Sequence, residues 1–402
     1  MSRVVCFRNL CPLETVLSVR EFLKDQVYDT VSDSVDLAPS WEFYPVTLVS
    51  PSDDKMGDLQ PSFPRGVFQN IPKPGLSEIL VRRYRPGERR SHAVHYDGHA
   101  YATAVLGISE PEEFRGGLYL QPEASAESKR FCNLSPGDVV LHSFNLQHGV
   151  DVFEGERYSV IFWFKDSEAS VKDGSTPWYD TMAAESSDTS VDALYNLGVQ
   201  FELGVHGKEK DFEKAKDFYR RAAERGHHFA QNNLALLEAD DQVAEKWLRA
   251  ASEKGHSTAQ MNLAIHLLCQ DENDPTAAEW MKLAASQEPK AAFYMGDMYR
   301  RGVSVAEDLE EAAKWFRRSA DRGFFPGFTE LGLLSFATGD FEEAAKLFEA
   351  AVVGDPKAWE HLVTSRRLAY GESEVTQWGK LAGRGHPEAG FTAGRFHLIV
   401  GS

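Results

Sequence analysis

From about residue 191 onward one pattern returns six times, and it constrains this chain more than any other feature. The segments read KAKDFYRRAAERGHHFAQ, VAEKWLRAASEKGHSTAQ, AAEWMKLAASQEPKAAF, AAKWFRRSADRGFFPGF, AAKLFEAAVVGDPKAW and VTQWGKLAGRGHPEAG. A large apolar residue stands at Phe218, Trp247, Trp280, Trp315, Leu347 and Trp378. A turn position follows at Gly226, Gly255, Glu288, Gly323, Gly354 and Gly385, and successive turn positions lie 29, 33, 35, 31 and 31 residues apart. Four residues further on stands a small residue: Ala230, Ala259, Ala292, Gly327, Ala358 and Ala389. Glycine reaches the left-handed conformation that ends a helix, and the small residue lets the next helix approach closely. The large apolar residue is expected to fill the space between helix pairs. One such pair cannot bury its own apolar face, so the pairs must stack. Residues 191–402 are therefore read as an all-α solenoid of about six helix pairs with an extended concave surface suited to a partner.

The first half has a different character. Short β-branched or aromatic runs bounded by Gly or Pro (SEILVRRY, YATAVLGIS, GGLYLQP, GDVVLHSF, RYSVIFWF) predict a strand-rich sandwich or barrel over residues 1–168. PLETVLSVREFLKDQV predicts one helix outside it. Residues 51–75, rich in Pro and Gly, read as a long loop of the kind that closes over a site. Residues 169–190, polar and without periodicity, read as a flexible linker. The net charge of −18 is spread over both halves, which disfavours nucleic acid and anionic membranes as partners. No apolar run is long enough to span a bilayer, and the N-terminus lacks the apolar core of a signal peptide. Four cysteines without paired metal spacing suit a reducing compartment, so a cytoplasmic or nuclear location is expected.

Chemistry has to come from the strand-rich half. His95 and Asp97 stand at i and i+2 between two predicted strands, so an extended backbone projects both to one side. Alone this is weak, because composition yields about one His-x-Asp by chance in such a chain. His148 strengthens it, standing after a Gly-Asp turn, a strand and a short loop. Two imidazoles and one carboxylate can bind one face of a metal and leave the other positions open. Arg157 and Ser159 follow at i and i+2, and an arginine there can hold a carboxylate through two parallel hydrogen bonds. Rival readings attach to other residues. His92 is expected outside the ligand set, His99 in or near the pocket, and His142 in a structural role. His227, His256 and His386 belong to the repeat turns. The run Arg82, Arg83, Arg85, Arg89 and Arg90 reads as a solvated edge or as the flank of an acidic-substrate site.

Residues 79–165 resemble the double-stranded β-helix core (jelly roll, cupin-like) of Fe(II)/2-oxoglutarate-dependent dioxygenases, most of all the prolyl 4-hydroxylase type. The resemblance rests on Tyr84 in RRYRPGE, His95-x-Asp97, Gly116-Gly117, Pro136-Gly137-Asp138, His148 and Arg157-x-Ser159. The repeats resemble the SEL-like relatives of tetratricopeptide repeats. The first resemblance implies Fe(II) held by His95, Asp97 and His148, and 2-oxoglutarate held by Arg157 with Ser159 and Tyr84 in support. It also implies O2 as oxidant, L-ascorbate as a possible reductant of the iron, and hydroxylation of a C–H bond with release of succinate and CO2. Collagen-type prolyl hydroxylases usually carry lysine where Arg157 stands, which weakens a strictly prolyl reading. The expected substrate is a prolyl or other residue of a polypeptide recruited on the concave repeat surface. A small molecule or free amino acid is the alternative, and a repeat-based scaffold with an oxygen- or 2-oxoglutarate-sensing domain is a third reading.

Overall fold

The computed structural model describes residues 4–24, 29–32, 39–43, 75–86, 88, 90–122, 128–184, 189–352 and 354–371. The expected loop at 51–75, all but its last residue, and the sixth repeat segment lie outside them, as does Arg89. The chain divides into two compact units, Met1–Glu288 and Pro289–Ser402.

The first unit contains two antiparallel sheets. Their strands are β1 (Val4–Phe7), β2 (Asp29–Ser32), β3 (Pro39–Phe43), β4 (Gly75–Tyr84), β5 (Ser91–His95), β6 (Ala102–Gly107), β7 (Phe114–Leu120), β8 (Arg130–Phe131), β9 (Val139–Ser143), β10 (His148–Gly155) and β11 (Arg157–Lys165). The larger sheet runs β1-β9-β6-β11-β4-β3-β2 and the smaller β5-β10-β7-β8. Both sheets contribute to one apolar layer, in which Val105 and Val140 of the larger pack with Leu118 and Val150 of the smaller. Helix α1 (Leu13–Lys24) buries Val16 and Leu23. Two glycines of β7 stand where a side chain is disfavoured: a Cβ on Gly116 would lie 2.1 Å from the Asp151 carbonyl oxygen, and Gly117, at φ 116°, would bring one to 3.0 Å from the Phe114 ring.

The segment expected to be a linker is structured between 168 and 183. Ser167 caps α2 (Glu168–Asp173) through its hydroxyl, and Pro177 opens α3 (Pro177–Ala183). Trp178 and Tyr179 of α3 are buried with Phe144 of the β half and with Ala193 and Leu197 of the next helix. Two helices this short leave no periodic signal in a polar stretch, and the buried aromatic pair is what fixes them. The first compact unit accordingly continues past residue 168 to Glu288.

Helices α4 (Thr189–Leu203), α5 (Phe212–Glu224), α6 (His228–Leu237), α7 (Asp241–Glu253), α8 (Ser257–Gln270) and α9 (Pro275–Ala284) complete that unit. The second unit holds α10 (Pro289–Arg301), α11 (Leu309–Asp321), α12 (Pro326–Ala337), α13 (Phe341–Ala351) and α14 (Ala358–Tyr370). Every second helix is capped by an aspartate, namely Asp211, Asp240, Asp274, Asp308 and Asp340. The turn glycines Gly226, Gly255 and Gly323 take positive φ as expected, but Gly354 does not.

In the first four repeats the buried large residue is shifted by one position from the expected register, whereas in the fifth Leu347 is buried as expected. Phe218, Trp247, Trp280 and Trp315 are only half-buried, whereas their successors Tyr219, Leu248, Met281 and Phe316 are buried, as is Phe348 after Leu347. The buried side chain is matched to the residue beneath it. Tyr219, Phe316 and Phe348 lie on Gly198, Gly296 and Gly332, where an added Cβ would come within 2.5–2.6 Å of the ring. Where the buried residue is the smaller Leu248 or Met281, the equivalent positions are Ala235 and Ala264. Gly296→Ala is therefore expected to destabilise the second unit by about 1–3 kcal/mol, since overpacking against the ring outweighs a gain in helix propensity of about 1 kcal/mol. Adding Phe316→Leu should restore most of the loss in urea denaturation. No restoration would show that the ring is not the source of the strain.

Candidate functional site

His95 is the last residue of β5 and His148 the first of β10, and the two lie directly opposite each other in the antiparallel register. After His95 the chain turns through Tyr96-Asp97-Gly98, closed by hydrogen bonds from Gly98 N to Tyr96 O and from Ala100 N to Asp97 O. This turn swings Asp97 back toward both rings. His95 Nε2 lies 3.5 Å from Asp97 Oδ1 and His148 Nε2 lies 3.4 Å from Asp97 Oδ2. One ligand atom from each of the three side chains falls within 4.8 Å of the others.

The hydrogen bonds behind the rings decide what these atoms offer. His95 Nδ1 lies 2.8 Å from Ala93 O and His148 Nδ1 lies 3.1 Å from Leu146 O. A carbonyl only accepts, so each Nδ1 carries the proton and each Nε2 presents a lone pair toward Asp97. Burial holds the His148 imidazole well below its ordinary pKa, with His142 acting in the same direction, so the ring is neutral at pH 7. Asp97 is fixed from below by Thr103 of β6, whose hydroxyl donates to Oδ2 at 2.5 Å. Three acceptors thus converge in a buried place, and a cation relieves that convergence. The donor set fits a divalent first-row metal bound on one face, with each histidine oriented by a backbone carbonyl.

Arg157 opens β11, opposite Tyr84 of β4, and is 3 % exposed. Its Nη1 donates to Ser159 Oγ at 3.2 Å, and its guanidinium lies 5.9 Å from the ring centroids of both Tyr84 and Phe114. Among the described residues no carboxylate pairs with it, and burial lowers its pKa. The buried Tyr84 hydroxyl also has no hydrogen-bond partner. A buried, unpaired guanidinium beside an unused hydroxyl is the electrostatic description of an anion site. Gly117 of the smaller sheet packs on the Arg157 stem, while Thr103 of the larger sheet reaches Asp97, so both clusters lie between the two sheets.

The rival residues sort themselves by contact. His92 and His142 flank the triad, with ring centroids 4.3 Å from His95 and 4.2 Å from His148, and neither belongs to the converging set. His99 turns edge-on to Trp163 at 4.5 Å, and burial lowers its pKa to about 4. His227 and His256 accept the backbone N–H of Ala230 and Ala259 through Nδ1, which makes them helix caps. Arg83 and Arg85 both pair with the buried Glu88, and Arg90 donates to Phe153 O, so much of the basic run serves internal bonds. Thr103 escaped the sequence reading, because one threonine in an apolar strand carries no signal of its own.

The Sel1 repeat family matches residues 191–227, 228–256, 257–288 and 289–324. Residues 191–324 are Sel1 repeats. The end of the third coincides with the limit of the first compact unit. No curated protein matches the chain in sequence. Among solved structures, a Sel1 repeat protein from Oxalobacter formigenes is similar at 22% identity over 51% of this chain and 93% of that one, with a TM-score of 0.43. The viral collagen prolyl hydroxylase of Paramecium Bursaria Chlorella virus-1, in complex with 2-oxoglutarate, is 16% identical over 40% of this chain and 95% of that one, TM-score 0.31. An oxidoreductase of the 2OG-Fe(II) oxygenase family from Burkholderia pseudomallei is 12% identical over 41% and 86%, TM-score 0.33. Among the described residues no helix is long and apolar enough to cross a membrane.

Proposed function

We propose that the β half is a double-stranded β-helix that acts as an Fe(II)- and 2-oxoglutarate-dependent oxygenase, hydroxylating a C–H bond and releasing succinate and CO2. The observation that carries this reading is the pairing of two sites between the sheets. Two imidazole lone pairs and a carboxylate converge within 4.8 Å, and a buried guanidinium between the same two sheets has no carboxylate partner among the described residues. His95, Asp97 and His148 would hold the metal, which when bound supplies the centre at which O2 is reduced as the keto acid is oxidised. Arg157 binds the far carboxylate of 2-oxoglutarate, Ser159 steadies the guanidinium, and the Tyr84 hydroxyl donates to the same anion. Leu146 O and Ala93 O hold the ring orientations, and Thr103 keeps Asp97 turned toward them. Burial of these groups excludes water and strengthens each of their electrostatic contacts.

The substrate in this reading is a polypeptide side chain, prolyl among the candidates, brought to the site by the Sel1 repeats, whose stacked helices suit protein recognition. Its four unpaired cysteines suit a reducing cytoplasmic or nuclear setting. Anaerobic titration with Fe(II) and 2-oxoglutarate should give a metal-to-ligand absorption band, and admitting oxygen should yield succinate. His148→Ala should show neither. A folded wild-type protein lacking both signals would rule the oxygenase reading out.

A further inference from the structure

Tyr96 stands between His95 and Asp97 in the turn that brings Asp97 back, and its side chain meets the first Sel1 repeats. The Tyr96 ring lies 5.8 Å from Tyr195 of α4 and 5.3 Å from Phe229 of α6 between centroids. Its hydroxyl accepts a hydrogen bond from Gln147 Nε2 at 2.7 Å. Gln147 immediately precedes His148 and is 6 % exposed. The other N–H of the same amide reaches His228 Nε2 at 3.2 Å, which makes that nitrogen the acceptor. On the far side of Asp97, Gly98 lies so close to α4 that an added Cβ would come 2.7 Å from Asn196 Oδ1. The chain neighbours of all three proposed metal ligands, residues 96, 98 and 147, thus rest on α4 and α6 or bond to them. The Gln147 amide also ties the turn carrying His95 and Asp97 to the loop carrying His148, two segments otherwise distant in sequence.

We propose that the first two Sel1 repeats are a structural part of the metal site: the Tyr96–Gln147–His228 chain, seated on Tyr195 and Phe229, clamps the two ligand-bearing segments together and sets how tightly they hold a metal. The inference rests on the metal reading above. Tyr96, Gln147 and His228 are positioning residues in this scheme, since none of them contributes a ligand atom. Hydrogen-bonded partners behind metal ligands commonly govern affinity by about 10–100-fold on mutation, and this clamp acts one step further out, through the chain neighbours of the ligands, so the lower end of that range is expected. A consequence follows from linkage. A partner that binds these repeats and changes the setting of α4 and α6 changes metal affinity by some factor, and the metal changes that partner's affinity by the same factor. The repeats then report metal occupancy to whatever they hold.

The test uses the full chain and Co(II) alone, titrated anaerobically and followed by the visible bands of the bound ion. Tyr96→Phe removes one hydroxyl, and His228→Ala removes the anchor in the repeats. Each should weaken Co(II) about tenfold and alter the band pattern, with circular dichroism unchanged. His228→Gln should recover part of the affinity, and Leu236→Ala, an exposed change on the same helix, should leave it unaltered. Saturating Co(II) should also slow amide exchange in α4 and α6 of wild type and leave α9 as it was. Wild-type binding that His148→Ala abolishes, with Tyr96→Phe and His228→Ala both at wild-type affinity, would overturn the clamp and leave the metal site standing. A folded wild type that binds no Co(II) would bring down the metal reading and the clamp with it.

Discussion

Replacing Arg157 with methionine is expected to raise the melting temperature of the ligand-free protein and to abolish its stabilisation by 2-oxoglutarate. The two effects share one cause. In the absence of an anion the guanidinium is 3 % exposed, lies against the Tyr84 and Phe114 rings, and bonds to one serine hydroxyl. An unpaired buried charge is costly, and apolar replacements of buried ionic groups are often stabilising by about 1–4 kcal/mol. Methionine keeps an unbranched apolar stem in contact with Gly117 and beside the Tyr84 and Phe114 rings, so little packing is lost. In the proposed function a bound dicarboxylate offsets that cost. At 100 times its dissociation constant a ligand that binds only the folded state stabilises by about 2.7 kcal/mol. Differential scanning calorimetry with and without 2-oxoglutarate reads both arms. Equal stabilisation of wild type and Arg157→Met by 2-oxoglutarate would remove Arg157 from the anion site and leave its burial unexplained.

Much of this architecture is legible in the sequence because its signals are local. A turn glycine, a capping aspartate or histidine and a small residue four positions on act within one helix boundary, so each repeat announces itself independently. The strands of the β half are equally local runs. What the sequence could not show are choices settled by contact. Each of the first five repeats carries two adjacent large apolar residues, such as Trp315 and Phe316, separated by only about 100° of helix rotation, so either can point inward. The usable clue was the paired residue: glycine beneath Tyr219, Phe316 and Phe348, alanine where the buried residue is Leu248 or Met281.

The site divides in the same way. His95, Asp97 and His148 are all singled out in the sequence; the structure sets His148 opposite His95 across two strands and returns Asp97 to them through a turn rather than by the expected strand alternation. Their supports are invisible to pattern. Thr103 comes from a strand that reaches Asp97 only when the two sheets pack, and Gln147 finds Tyr96 across 51 residues of sequence. Within residues 169–190, read as a linker, the helices up to Ala183 escape pattern for a related reason, because burial of Trp178 and Tyr179 depends on Phe144 and Leu197, neither of which lies within that stretch. Periodicity therefore locates elements, whereas the function of a site depends on pairs that meet only in the folded chain.

The first unit is also expected to lose stability steeply as pH falls below about 6.5, the ordinary value for a free imidazole. His142, His148 and His256 are each buried, and burial is the leading cause that lowers all three, His256 to about 3. Unfolding releases each ring to water, where below pH 6.5 it takes up a proton that the folded state refuses. The unfolded chain then binds more protons, so stability is fully present above 6.5 and declines as pH falls, until the folded rings themselves protonate. Each histidine contributes a slope of about 1.4 kcal/mol per pH unit in that window. His148 and His256 alone would remove about 5 kcal/mol two pH units below 6.5, the lower end of the whole stability of an ordinary domain, and His142 acts in the same direction. His256 isolates one share of this, because its role in the fold is to accept the Ala259 N–H through Nδ1. Asparagine also serves well as a helix cap, and it does not titrate. With metal removed by chelator, His256→Asn should match wild type within about 1 kcal/mol at pH 7.5. At pH 5.5 it should gain about 1.4 kcal/mol relative to its standing at pH 7.5. Urea denaturation at the two pH values measures the difference directly. Parallel pH profiles for wild type and variant would mean that His256 already carries its proton in the folded repeat, and that the acid sensitivity lies elsewhere.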